Sequence, residues 1–367
     1  MNDSTSVSRR GFLASAARTS AICATGTYAA SELTALARAA AQNATDAKQQ
    51  PAASPAQNKK ALIAITLDLE MARNFPNWED THWDYEKGNL NEAAKAYAVD
   101  VCGRVKAHGG VAHTFVVGRV FEQENVDWLK GIANDGHSIG NHTYDHVNVM
   151  AKRPKEVQLR FGRAPWLIEG KTAQEAIREN ISMTSRALKQ RVGVDVKGFR
   201  TPGGFPNGLG DRPDVQQLLL GLGFKWASAK YPAFEGIRDL HGTSDWPSDE
   251  VYRNIVAAQV RAQPFVYPSG LIDIPMSPIS DLNAFRLGRW QLPYFLKAIK
   301  LAVSWAIENG AVYDFLLHPS CLGVIDPKCE TVELICDLVA QAKDRAAIVD
   351  LETIAARVRT EQAAKAS

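Results

Sequence analysis

The sequence predicts an α/β fold, a distorted (β/α) barrel of seven to eight parallel strands. Three observations predict it. Apolar runs of strand length alternate with segments of helical periodicity along most of the 367 residues. The chain is 46% hydrophobic, enough for one large core, and α/β barrels of this length are often a single domain. Polar residues able to do chemistry collect at the C-terminal ends of the expected strands, the end at which barrels carry their sites.

The elements follow in order. Ala61 to Leu67 is a near-continuous apolar run, as a strand buried on both faces requires. Residues 89–110 have helical spacing, with Asn89 or Asn91 available as cap and Gly109-Gly110 as stop. Residues 111–117 form the second expected strand, 125–136 a helix, and 137–142 a third strand. A long helix covers 172–190, and "VKGFR" (196–200) is the fourth strand. A helix over 212–223, a strand over 224–229 and a strand over 270–275 come next. The helix over 294–310 leads into "AVYDFLLH" (311–318), and a helix over 329–343 into "AAIVDL" (346–351), before a helical tail. Residues 231–268, rich in aromatics and prolines, read as an insertion that walls a groove. Its Tyr231, Trp246, Tyr252 and Tyr267 suit either packing or stacking on a flat ligand.

The N-terminal residues read as a targeting segment. Arg9-Arg10 followed by Gly-Phe-Leu has the form of a twin-arginine signal, and Ala37-Arg38-Ala39 the form of a cleavage site. Residues 1–39 are therefore expected to be a signal peptide and 40–58 a linker too poor in large apolar side chains to fold. Residues 59–367 are the expected barrel. Such a signal implies a periplasmic or secreted protein. Three of the five cysteines, Cys321, Cys329 and Cys336, fall close together, and two of them could pair in an oxidising compartment. Formal net charge is +2 with no long basic stripe among aromatics, so nucleic acid is not an expected partner. No apolar run reaches membrane-spanning length, so no stable membrane insertion is expected after signal cleavage.

Four sequence stretches carry candidate chemistry. "HTYDH" places His142 and His146 four residues apart, and one helical turn would aim both imidazoles at one ion. "TLDLE" ends the first strand with Asp68 and Glu70 on one face, two carboxylates that burial makes costly unless they are paired or bound to a metal. Arg200 follows the fourth strand, where a guanidinium can hold a carboxylate. His318 ends a late strand, a place for a general acid. Taken singly, the two carboxylates fit a solvated strand end equally well, and a structural ion pair and a structural histidine are the commoner roles of Arg200 and His318. His137 is expected to pack or hydrogen-bond at a strand end.

In this order the stretches resemble the motifs of the polysaccharide deacetylases of carbohydrate esterase family 4, in a variant whose first motif is D-x-E. The resemblance runs from about Ala61 to His318. It implies Asp68 as catalytic base, Arg200 as its orienting partner and His318 as general acid. It implies His142 and His146 as metal ligands. Leu69 stands where the family has a second aspartate, so Glu70 is taken as the third ligand, with the roles of Asp68 and Glu70 open to exchange. On the substrate side it implies Leu317, walling an acetyl pocket, Thr143, which stabilises the loop between the histidines, and Trp246. The family's fourth motif has two candidates, Asp245-Trp246 and Asp273, the latter as a partner for His318. The implied activity is metal-dependent hydrolysis of N-acetyl or O-acetyl groups on an acetylated polysaccharide outside the cytoplasm. The implied ion is divalent, zinc first. The alternatives are a cyclic-amide hydrolase resembling allantoinase and a non-catalytic carbohydrate-binding barrel.

Overall fold

The computed structural model describes residues 59–74 and 83–366. The expected leader (1–39) and linker (40–58) lie outside the described residues. The described chain runs β1 (Ala61–Leu69), α1 (Glu92–Ala107), β2 (His113–Val116), α2 (Asp127–Asn134), β3 (Ser138–Asn141), α3 (Ala173–Val192), β4 (Phe199–Phe205), α4 (Pro213–Gly221) and β5 (Trp226–Lys230). It continues with α5 (Asp249–Ala258), β6 (Phe265–Val266), β7 (Ile272–Asp273), α6 (Leu292–Glu308), β8 (Val312–Leu317), α7 (Glu330–Ala342), β9 (Ala346–Ile348) and α8 (Leu351–Ala366). Helix limits follow local chemistry. The Asn91 side chain accepts from the Ala94 N–H at the start of α1. Thr172 and Glu175 form a reciprocal capping box on α3, and Gly193 ends it in the left-handed region at φ 85°.

The strands form one curled sheet in the order β6-β7-β5-β4-β3-β2-β1-β8, with β9 also paired to β1. Every pairing is parallel except that of β6, which lies within the insertion, with β7. β1, next to the edge strand β8, pairs with three strands. It pairs β8 over Leu62 to Leu67 on one side. On the other it pairs β9 over Ala61 to Ile63 and β2 over Thr66 to Leu69.

The sheet ends at β6 on one side and β8 on the other, and side chains and backbone near β6 and β7 bridge this seam. Gln263 accepts from the Val312 N–H at 2.9 Å and donates to the Val312 carbonyl at 3.0 Å. Its amide thus does the work of a neighbouring peptide. The Ser277 N–H donates to the Asp314 carbonyl at 2.9 Å.

Alternation along the strands sorts the interior. Ile63, Ile65, Leu67 and Leu69 point outward into a core shared with α1, α6 and α7. Leu62 and Ala64 point inward with Phe115, Trp226, Ile272 and Val312, where Leu351, Ile354 and Ala355 of α8 close the N-terminal end of the barrel. Above this apolar plug the inward residues become polar: Thr66, Asp68, Arg200, Ser228 and Asp314, all buried. Cys102, Cys321, Cys329 and Cys336 are buried free thiols, so no disulfide forms among the described residues.

Replacing Gln263 with Leu leaves the Val312 N–H and C=O without partners at the seam. The expected loss is about 1–3 kcal/mol, read as a lower urea midpoint at unchanged slope.

Candidate active site

The site grows from the C-terminal end of β1. Asp68 lies inside the strand, one ladder step further than the apolar run suggested, and Glu70 stands just past its end. Both are buried. Arg200, fully buried on β4, reaches across the barrel. Its guanidinium donates to Asp68 Oδ1 at 3.1 Å, Thr66 Oγ1 at 2.8 Å and Ser228 Oγ at 3.2 Å, and it also pairs with Asp314. The Thr66 hydroxyl in turn donates to Asp314 Oδ1 at 2.7 Å. The guanidinium plane also lies over the Phe115 ring, 4.4 Å from the centroid. Burial pushes the Asp314 carboxyl up to about 6, against the opposing pull of Arg200 and Thr66.

His142 and His146 converge on Glu70, with Nε2 atoms 3.2 and 3.0 Å from its Oε1. They do so without the expected helical turn. Thr143 and His146 both sit in the left-handed region, at φ 59° and 56°, and fold the segment back as a loop. Three bonds hold that loop: the Thr143 N–H to Asn141 Oδ1, the Val147 N–H to Thr143 Oγ1 and the Gly118 N–H to the Thr143 carbonyl. Thr143 therefore belongs to the loop and not to the substrate side, because it is fully buried and its hydroxyl is already engaged.

The His142 Nδ1–H donates to the Arg200 carbonyl at 3.0 Å. Its Nε2 then carries a lone pair aimed at a carboxylate oxygen, an arrangement of two acceptors that a cation resolves. Neighbouring donors of a tetrahedral ion with bonds of roughly 2.0–2.2 Å stand roughly 3.3 Å apart. The two separations from Glu70 match that edge, so the donor set fits a divalent ion. Asp68, Glu70 and His318 form a second acid-and-imidazole group around the same Glu70 oxygen.

His318 follows β8, with Nε2 3.9 Å from Asp68 and 3.7 Å from Glu70. Asp281 holds it twice, accepting from the His318 backbone N–H at 2.7 Å and pairing with Nδ1 at 2.9 Å. Asp281 takes the place beside His318 that Asp273 was expected to fill. Asp245 is instead exposed in a pair with Arg238. Asp273 takes the Tyr267 hydroxyl and the N–H groups of Ala229 and Lys230. Asp281 follows no strand of its own, so strand-end reasoning passes over it. Its one local signal is a capping bond from the Leu282 N–H.

Two further expectations change. Leu317 points outward into the core with Phe315, while Leu316 shares the inward face of β8 with Asp314 and retains slight exposure. Alternation in β8 therefore makes Leu316 the apolar wall on the site side. Trp246 is 53% exposed, with its ring 4.2 Å from Tyr294, and touches neither the carboxylates nor the histidines of the cluster. Tyr252 and Tyr267 are buried packing residues. His137 accepts from the Ala112 N–H at a strand end. One unforeseen neighbour, Lys87, is buried in an ion pair with Glu70.

The charges divide the site. Burial works to raise the Glu70 carboxyl, but the Lys87 ammonium and the two imidazoles outweigh it and hold the group well below the usual carboxylate range. Burial, then the Lys87 charge, pushes His146 down to about 4. Burial also works to lower His318, but the charge and hydrogen bond of Asp281, with Glu70 and Asp68 behind, raise it above its ordinary value.

Residues 85–210 match the family model described as polysaccharide deacetylase. A chitooligosaccharide deacetylase of Azorhizobium caulinodans is 35% identical over 69 residues, 19% of this chain and 32% of that protein. The chain thus aligns with about a third of that relative's length. The fold is shared with a structure described as a polysaccharide deacetylase from Mycobacterium smegmatis, at TM-score 0.53 and 18% identity, over 85% of this chain and 96% of that one. It is also shared with Puue allantoinase, at TM-score 0.52 and 15% identity, over 84% and 93%. The match to the family model covers residues 85–210, about a third of the chain. That stretch contains His142, His146 and Arg200. Asp68, Glu70, Asp281 and His318 lie outside it and reach the site through the fold.

Because Asp281 raises the His318 pKa, the imidazolium is favoured below that value and lost as pH rises through it. In Asp281→Asn the midpoint of the His318 imidazole titration, followed by NMR, is expected at least about one unit lower. An unchanged midpoint contradicts this account of His318.

Proposed function

We propose that the protein is a metal-dependent hydrolase that removes N-acetyl or O-acetyl groups from a polysaccharide outside the cytoplasm. The observation that carries this reading is the convergence of two imidazole nitrogens on Glu70 Oε1, flanked by Asp68 and His318, each held by its own partner. The match to the polysaccharide deacetylase family and the similarity to a chitooligosaccharide deacetylase support it. The twin-arginine pattern at Arg9-Arg10 supports export to the periplasm or beyond. No helix among the described residues is long and apolar enough to cross a membrane.

Glu70, His142 and His146 would hold a divalent ion, zinc first, which polarises the acyl carbonyl and makes water acidic when bound. The remaining work falls to the chain. Asp68 takes the proton of the attacking water, and Arg200 fixes the carboxylate for that transfer. His318, whose imidazolium Asp281 favours, donates from Nε2 to the departing nitrogen or oxygen. Leu316 offers an apolar surface beside these groups for the acetyl methyl. Glu70 is favoured over Asp68 as the ligand carboxylate, since both imidazoles aim at Glu70 while Arg200 occupies Asp68.

Purified protein is expected to carry about one divalent ion per chain, lost in His146→Ala, by elemental analysis. Asp68→Asn is expected to keep the ion and lose about 100-fold or more in kcat for acetate release from acetylated oligosaccharides. Ring opening of allantoin without acetate release would select the cyclic-amide reading instead.

A further inference from the structure

Lys87 is not a surface lysine that happens to fold inward. Its turn is stitched to the site by the backbone, with the Gly88 N–H donating to the Glu70 carbonyl at 2.5 Å. Gly88 takes φ 84° against Arg119, where an added Cβ would meet the Arg119 Cβ at 2.3 Å. The Gln123 amide donates to the carbonyls of Gly88 and Leu90, at 3.4 and 3.1 Å. The Lys87 side chain is 3% exposed. Its Nζ donates to Glu70 Oε2 and lies 3.3 Å from His146 Nε2.

A buried ammonium is tolerated only with a counter-charge and hydrogen-bond acceptors around it. Lys87 finds them on two of the three residues whose donor atoms fit a divalent ion. The ammonium and the ion therefore draw on the same carboxylate charge and the same imidazole lone pair. They also repel each other at this range. The ammonium's strongest partner is the outer oxygen of Glu70, while Oε1 faces the two histidines. The carboxylate thus stands between two competing cations.

We propose that Lys87 is a built-in cation that holds the metal-free site assembled and sets its metal affinity by competing for Glu70 and His146. This inference rests on the metal reading proposed above. At low ion concentration Nζ neutralises Glu70 and keeps the two histidines in register. At higher concentration the ion replaces it and Nζ withdraws.

The test is zinc titration of metal-free wild type, Lys87→Met and Lys87→Arg by calorimetry, with the thermal midpoint of each protein recorded first. Lys87→Met is expected to bind zinc about 100-fold more tightly than wild type. Lys87→Arg, which keeps the charge, should stay within about threefold of wild type. Metal-free Lys87→Met should melt below wild type and gain more on zinc addition. Unchanged or weaker zinc affinity in Lys87→Met overturns the inference, since a residue that merely positioned Glu70 as a ligand would aid the ion. If Lys87→Met does not fold, reductive methylation of wild type carries the test. Labelling at Lys87, read by mass spectrometry, should accelerate at least about tenfold on zinc saturation, and an unchanged rate overturns the inference. Equal zinc affinity in wild type and Lys87→Met overturns the role of Lys87 alone. No zinc binding by either protein overturns the metal reading as well.

Discussion

The site depends on a permanent positive charge with no access to water. Arg200 cannot shed its proton, so its complete burial must be balanced by carboxylates on neighbouring strands. Asp68 on β1 and Asp314 on β8 supply that balance, and Thr66 and Ser228 complete the hydrogen bonding. The fork of the guanidinium thus ties β4, β1 and β8 across the interior, above the apolar plug supplied by α8. The backbone carbonyl of the same residue accepts the His142 Nδ1–H and turns its Nε2 toward Glu70. One residue orients both a carboxylate and an imidazole of the site.

Around that anchor two histidines, His318 buried and His146 half-buried, are driven in opposite directions. His146 lies beside an ammonium, which adds to burial in disfavouring the imidazolium. His318 lies against Asp281, whose charge overrides burial and favours it. A neutral imidazole can offer a lone pair to an ion, and a protonated one can donate a proton. The division arises from the partner of each ring, since both rings occupy the same low-dielectric pocket.

The loop between the histidines shows how backbone and chemistry are joined. Two left-handed residues are costly for side chains with a Cβ, and Thr143 and His146 adopt them only because Asn141, Gly118 and the Thr143 hydroxyl hold the segment. The return of His146 toward Glu70 is the consequence. A helical turn would produce the same spacing in sequence with a different backbone.

Much of this was legible in the chain. Alternating strand and helix periods predict the barrel, because each period reports which face of an element must leave water. The strand-end motifs point to Asp68, Glu70, His142, His146, Arg200 and His318, because chemistry-bearing side chains interrupt apolar runs there. Other features were decided only by tertiary structure. Asp281 caps a π-helical turn and Lys87 sits on a turn, neither with a periodic signal, and both become site residues through contacts that the fold creates. Asp314 was visible in its strand, but its role required knowing that Arg200 crosses the barrel. The choice of Leu316 over Leu317 follows from strand phase, which one shift in register would reverse. Sequence determines local period and residue type, while the electrostatic partner of each buried group depends on which distant segments fold against it.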